Sequence, residues 1–271
     1  VWPTPRAHGT SNAWGTGSDG RSYRLNDDLA RYEWYDLDGD GILERPALVC
    51  EDASTNLCGH DDALSSWIVT GAGSTVTLAG AMGDADLWTF ADGDAATAAT
   101  VHKVLNAFTG LTRKGVLVLW AKHPTFAASG NFVRLRDNTA GVNLLNATIL
   151  ANADNSPNVS IVGGLGTYFG SRKLGPMALA TGAPVDVYLL ALDANPVTNV
   201  GNTHHLQLGA AVTASQTGSA IFGYVLVENA VRPSSRIETP AATAVTRSRE
   251  VIGWESRGVD LRRPEIGRAH V

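Results

Sequence analysis

Ala220-Ile-Phe-Gly-Tyr-Val-Leu-Val-Glu-Asn-Ala230 is a continuous apolar run that ends abruptly in polar residues. It is too short for a buried helix and rich in β-branched and aromatic side chains, so it reads as a strand covered on both faces. The chain then turns through Val231-Arg-Pro-Ser-Ser-Arg-Ile-Glu-Thr-Pro240, an extended Pro-flanked segment, into Ala244-Val-Thr-Arg-Ser-Arg-Glu250. Two more runs have the same two-sided character, Val116-Leu-Val-Leu-Trp120 and Val185-Asp-Val-Tyr-Leu-Leu-Ala191. Asn131-Phe-Val-Arg-Leu-Arg136 alternates apolar and basic residues, as a half-exposed strand does.

Working outward, strands are expected at 67–70, 75–78, 86–90, 101–108, 115–122, 131–136, 142–150, 158–162, 184–192, 204–212 and 221–228. Gly, Asn, Asp and Pro punctuate these runs. The short segment 46–51 is a further candidate. Only 94–100, which is Ala-rich, and 179–181 hint at helix. Closely spaced strands without intervening helices predict an all-β antiparallel sandwich. Its core is expected to include Leu117, Leu119, Val187, Leu189, Phe222 and Val225. We place an irregular Gly/Ser/Asn-rich N-terminal arm at 1–30, an acidic-loop segment at 31–55, the sandwich at 56–230 and a C-terminal extension at 231–271. The last residues, Glu265-Ile-Gly-Arg-Ala-His-Val271, match the translation of a common sequencing-library adapter. Read-through from a metagenomic contig is therefore expected there.

The 271 residues are 44% hydrophobic and 17% charged, with a net charge of −5. That balance disfavours a nucleic-acid-binding surface. The longest strongly apolar run, Gly115–Ala121, is far shorter than the roughly 20 residues a spanning helix requires. Cys50 and Cys58 have no CxxC or His partner, so they form no metal site. A bridge between them and two free thiols both stay open.

Three segments resemble a jelly-roll domain common in tail and virion proteins of tailed phages, of the concanavalin A-like (lectin/glucanase-like) type. That family's closing strand ends in QLEEGA and runs into TSYIPT and AVTRAAD. The corresponding residues here are Val225–Ala230, Ser234–Thr239 and Ala244–Glu250. The family's opening, an Arg-Thr-Asn-Leu segment followed by an acidic turn with Trp and a hairpin, is similar to Thr55-Asn-Leu-Cys58, Asp61–Trp67 and Val69–Thr77. The chain departs from it in having Ser54 in place of the Arg and Gly59-His60 after the Cys. The resemblance implies a non-catalytic virion structural protein, tail-fibre or tail-associated. Its partners would be a host-surface glycan or another virion protein, on the virion or otherwise extracellularly. The Gly/Asn/Ser-rich N-terminal arm cannot bury enough apolar surface alone, so it is expected to order against a neighbouring subunit or tail protein, and the chain to be a homo-oligomer. The alternatives are a carbohydrate-binding module of an extracellular carbohydrate-active enzyme and a bacterial β-sandwich adhesin.

Asp36-Leu-Asp38-Gly-Asp40-Gly-Ile-Leu-Glu44 is the sharpest local motif. Alternate carboxylates of Asp36, Asp38 and Asp40, the Ile42 carbonyl and Glu44 can wrap a hard cation, so a structural Ca2+ is expected. An acidic hairpin turn explains the same residues. No Glu-x-Asp-x-x-Glu run and no Gly-x-Ser-x-Gly elbow is present, so no catalytic residues are assigned. His204 and His205 are adjacent on a strand and should point to opposite faces. His102 and His123 have no partner in the sequence pattern. Gly163-Gly-Leu-Gly166 reads as a hairpin corner. Trp88 and Tyr168 are the candidate ligand-stacking aromatics, while Trp120 fits packing between sheets.

Overall fold

The computed structural model describes residues 54–247, apart from 62, 84, 180, 181, 235, 236 and 240. It also describes the backbone of six short strands outside that range. Five precede it: β1 (Pro5–His8), β2 (Trp14–Thr16), β3 (Ser22–Arg24), β4 (Tyr32–Tyr35) and β5 (Arg45–Leu48). The main body starts with β6 (Ser54–Asn56), β7 (Ile68–Thr70), β8 (Thr75–Met82), β9 (Ala85–Asp92), β10 (Thr100–Val104) and β11 (Lys114–Ala121). It continues with β12 (Asn131–Asp137), β13 (Val142–Ala151), β14 (Pro157–Ile161) and β15 (Thr167–Met177). The last strands are β16 (Val185–Ala194), β17 (His204–Gly209), β18 (Gly218–Glu228), β19 (Val245–Arg247) and β20 (Val251–Trp254).

Two six-stranded antiparallel sheets carry the fold. The first is ordered β14-β13-β12-β17-β10-β7 and the second β15-β16-β11-β18-β9-β8. The chain crosses repeatedly from one to the other, as between β9 and β10, β10 and β11, and β17 and β18. This winding makes the two sheets a β-sandwich that closes one shared core. Inward side chains come from Val133, Leu135, Leu145, Leu206 and Leu208 of the first sheet and from Val116, Val118, Leu190, Val225 and Val227 of the second. An aromatic row crosses the second sheet's inner face, Tyr188–Trp120–Phe222–Trp88, each opposite the next. Trp120 also joins the sheets by a hydrogen bond: its Nε1 donates to Asn131 Oδ1 at 2.9 Å, and Asn131 Nδ2 donates to the Ala210 carbonyl at 2.8 Å.

The expected core residues divide between two layers. Phe222 and Val225 face the other sheet, whereas Leu117, Leu119 and Val187 face outward into a second apolar layer with Ile221, Tyr224, Leu226 and Ile237. Leu189 is only partly buried there. The division arises at a β-bulge: Val118 pairs with Val225 and Trp120 with Phe222, so Gly223 and Tyr224 together face Leu119. The extra residue flips the parity of β18, which puts Phe222 and Val225 on one face although they are three positions apart. Leu119 is fully buried. Leu119→Ala is expected to cost about 3 kcal/mol, read as a shift in urea midpoint, and an unchanged midpoint would show that this outer layer bears no stability.

The sequence misses β15. Its 11 residues are interrupted by Gly170 and Gly175, at φ 130° and 120°, and by Pro176. The pairing with β16 shifts register at both glycines. β15 is an edge strand, where bulges and a proline are tolerated, and together they erase the period-two pattern. The Ala-rich 94–100 is no helix. Asp94 accepts from the Ala96 and Thr97 amides and holds the segment as a turn. Gly163–Gly166 is the corner between β14 and β15, which lie in different sheets, rather than a hairpin. The N-terminal stretch expected to be irregular contains β1, β2 and β3, with β2 paired to β3 and β1 to β20. No helix among the described residues is long and apolar enough to cross a membrane.

Candidate functional site

The segments that carry the opening and closing signatures are joined in space. β6 pairs with β19, Asn56 opposite Val245 and Thr55 opposite Thr246. Asn56 is fully buried and is the centre of the junction. Its Nδ2 donates to the carbonyls of Val225 at 3.2 Å and Ile237 at 2.9 Å, and its Oδ1 accepts from the amides of Cys58 at 3.0 Å and Val227 at 3.1 Å. Val225 and Val227 lie just past the β18 bulge, where the strand pairs regularly with β11 again. A side-chain amide, with donors and an acceptor on one short stem, is well suited to pair there with backbone groups on three segments. Asp61 Oδ1 accepts from the Thr239 amide at 2.8 Å, and the Thr239 hydroxyl donates to the Cys58 carbonyl at 2.5 Å. Closure of the fold thus extends to Arg247, past the Ala230 at which the sequence ends the sandwich. Cys58 is a buried free thiol, pushed far up by burial, which leaves it protonated and unreactive. Cys50 lies outside the described residues.

Buried carboxylates are all tied into structure. The five among the described residues are Asp61, Asp92, Asp137, Asp193 and Glu228. Asp92 accepts from the Asp94 and Ala99 amides. Asp193 pairs with Arg113, and Glu228 accepts from Ser54 Oγ and from the Ser234 amide and hydroxyl. Asp137 accepts from the Ala140 amide and Asn202 Nδ2. Burial would raise its pKa, but those hydrogen bonds and the neighbouring His204 hold its carboxyl below the usual range.

The outer face of the first sheet is polar at its centre, with Ile68 and Val104 exposed towards one edge, and carries positive charge that is uncompensated among the described residues. Register brings Asn146, Arg134, Gln207, His102 and Ile68 into one row across five strands. A second row holds Asn143, Arg136, His205 and Val104. Arg134 Nε donates to Asn146 Oδ1 at 3.0 Å, and its guanidinium lies 3.9 Å from the centre of the Phe132 ring. Phe132 in turn lies flat over Gly209, whose missing side chain makes the room; a Cβ there would lie 1.9 Å from the ring. Arg136 reaches Asn143 Oδ1 at 3.4 Å. Neither arginine pairs with a carboxylate among the described residues, and the Gln207 amide makes no hydrogen bond to them.

His204 and His205 point to opposite faces, as expected. His204 packs against Phe108 inside, with Nε2 3.8 Å from Asp137, while His205 stacks on His102 outside at 5.0 Å between centroids. Sequence spacing could not reveal the His102–His205 contact, which depends on the β10–β17 register. Burial lowers the pKa of His102, His204 and His205. The second influence on His102 is His205, and on His205 it is Arg136; Lys114 also lowers His204, against the pull of Asp137. The folded chain therefore resists protonation more than the unfolded one. This contribution is full above about pH 6.5 and is lost as pH falls through the lowered folded values. We expect the melting temperature to fall between pH 7.5 and pH 5, and H102Q/H205Q to flatten the slope. An equal slope in wild type and variant would show that these rings do not govern it.

The ligand-stacking candidates from the sequence are not brought together. Trp88 and Tyr168 are half-buried against the inter-sheet core, on β9 and β15, at opposite sides of the second sheet. Asp36, Asp38, Asp40, Ile42 and Glu44 lie outside the described residues. Among those residues, no group of three or more His, Cys, Asp or Glu is placed to hold a metal. A groove of about 330 Å3 runs between Lys122, His123, Pro124, Asn155, Pro176 and Asp186. Its charges are partnered: Lys122 donates to Asn155 at 2.7 Å, and Asp186 pairs with Lys173 at 3.0 Å. No protein-family model matches the chain, and no curated protein matches it.

Proposed function

We propose that the chain is a non-catalytic structural protein of a tailed-phage virion, of the tail-fibre or tail-associated kind. It acts by binding a host-surface glycan or another virion protein, and it works as a homo-oligomer. The observation that carries this reading is the junction at Asn56. Of the segments that resemble the phage family, Thr55–Cys58 is hydrogen-bonded both to Val225–Ala230 and to Ala244–Arg247, although they are far apart in sequence. Residues that resemble a family at the points where its fold closes support a shared architecture and not a reaction. The binding rather than catalytic role is supported by the buried carboxylates, each held by backbone amides, hydroxyls or an arginine.

The test is the composition of virus-like particles. When particles from a source community are banded by density, peptides of this chain should co-band with tail peptides. Recovery only in the particle-free fraction would overturn the assignment. The same reading gives the Asp36–Glu44 loop a structural Ca2+. Calorimetry is expected to show heat on calcium addition at millimolar levels, abolished by D38A/D40A with the sandwich still folded. No heat from the intact chain would reduce the loop to a turn.

A further inference from the structure

We infer that the outer face of the first sheet binds an acidic saccharide, whose carboxylate docks at Arg134 and Arg136 and whose hydroxyls meet the amide of Gln207. This rests on the reading of the chain as a binding protein and names the ligand class and the face.

The face combines charge with preorganisation. Arg134 and Arg136 project from the same face of β12 two residues apart, roughly 7 Å along the strand. Both are half-buried, and neither has an anionic partner among the described residues. Half-buried cations without a counter-charge lose hydration that a bound oxyanion restores. Arg134 is also fixed in place: its Nε is held by Asn146 and its plane rests on Phe132, so the remaining N–H groups are presented with little rotamer freedom. Across the row, Gln207 offers both a donor and an acceptor with no hydrogen-bond partner among the described residues. Beyond it, His102 is nine-tenths buried, and its Nδ1 has no hydrogen-bond partner among the described residues.

The ligand class follows from how little charge there is. The positive charge on this face is two adjacent arginines on a protein of net charge −5. That matches one or two carboxylates and not the phosphate track of a nucleic acid, which requires an extended basic stripe. The surrounding amide, hydroxyl and imidazole groups, Gln207, Thr148, Ser160 and His205, are hydrogen-bonding partners for sugar hydroxyls.

The experiment is calorimetric titration of the full chain with oligosaccharides from uronate-containing bacterial capsules, each in native and carboxyl-reduced form. An oligo-dT strand serves as a polyanion control. Native oligosaccharide should bind, and carboxyl reduction, R134Q or R136Q should each weaken binding by about tenfold or more. Q207A, whose side chain makes no bond within the described residues, should weaken it several-fold with no change in melting temperature, which separates lost contact from lost folding. Equal affinity for native and carboxyl-reduced forms, unaffected by R134Q and R136Q, would overturn the acidic-ligand inference and leave the glycan-binding reading standing. Oligo-dT binding as tightly as the saccharide would overturn it as non-specific charge attraction. Absence of binding to every oligosaccharide, native or reduced, would overturn this site and count against glycan as the partner.

Discussion

Asn56→Leu is expected to destabilise the protein by about 4 kcal/mol, or to prevent folding outright. Leucine keeps the same branched heavy-atom skeleton, so no cavity opens and the main loss would be of hydrogen bonds. It would strip partners from the carbonyls of Val225 and Ile237 and from the amides of Cys58 and Val227, all in a fully buried place. Each buried backbone group left unpaired costs about 1–3 kcal/mol, and no water replaces the amide without opening the junction. Thr55→Ala next door, on the half-buried pair of β6 with β19, should cost less than about 1 kcal/mol. The check is urea unfolding of both variants. A wild-type midpoint for Asn56→Leu would show that the two ends of the sandwich are not held together by this side chain.

Trp120→Ala is the second large effect, about 4 kcal/mol or more. The side chain is fully buried in the middle of the aromatic row, and its removal opens a cavity between the sheets. It also orphans Asn131 Oδ1, the acceptor through which one sheet is bonded to the other. Trp120→Phe separates the two contributions, because it keeps most of the volume and loses the N–H. Its cost should be near 1–2 kcal/mol. If Phe and Ala variants unfold at the same midpoint, packing around the ring contributes little and the hydrogen bond dominates.

Particular residues show what a sequence could and could not reveal here. Val116–Trp120 is legible as a central strand because every residue is apolar, and all eight residues of β11 are buried. Val133, Leu135, Arg134 and Arg136 are legible as two faces because the strand alternates. β15 is not, because Gly170, Gly175 and Pro176 break the alternation that signals a strand. The β18 bulge is not legible either: in an all-apolar run no residue marks where the parity flips, and only the pairing with Val118 and Trp120 reveals it. The junction at Asn56 was legible as a resemblance in two separate places but not as a contact, since nothing local says that residue 56 meets residue 237. The cationic face was half legible. Its arginines could be read as outward-facing, while Gln207, His102 and His205 join them only through cross-strand register. The aromatics Trp88 and Tyr168, chosen from residue type alone, are half-buried and stand on well-separated strands of the second sheet.

The most direct test of the central claim, binding without chemistry, is one experiment with two readouts. The full chain is incubated with a panel of capsular polysaccharides, and binding and the release of new reducing ends are recorded in the same samples. The account predicts saturable binding with no reducing ends above the protein-free control. Reducing ends that accumulate with time, and disappear when a single Asp or Glu is replaced, would contradict it.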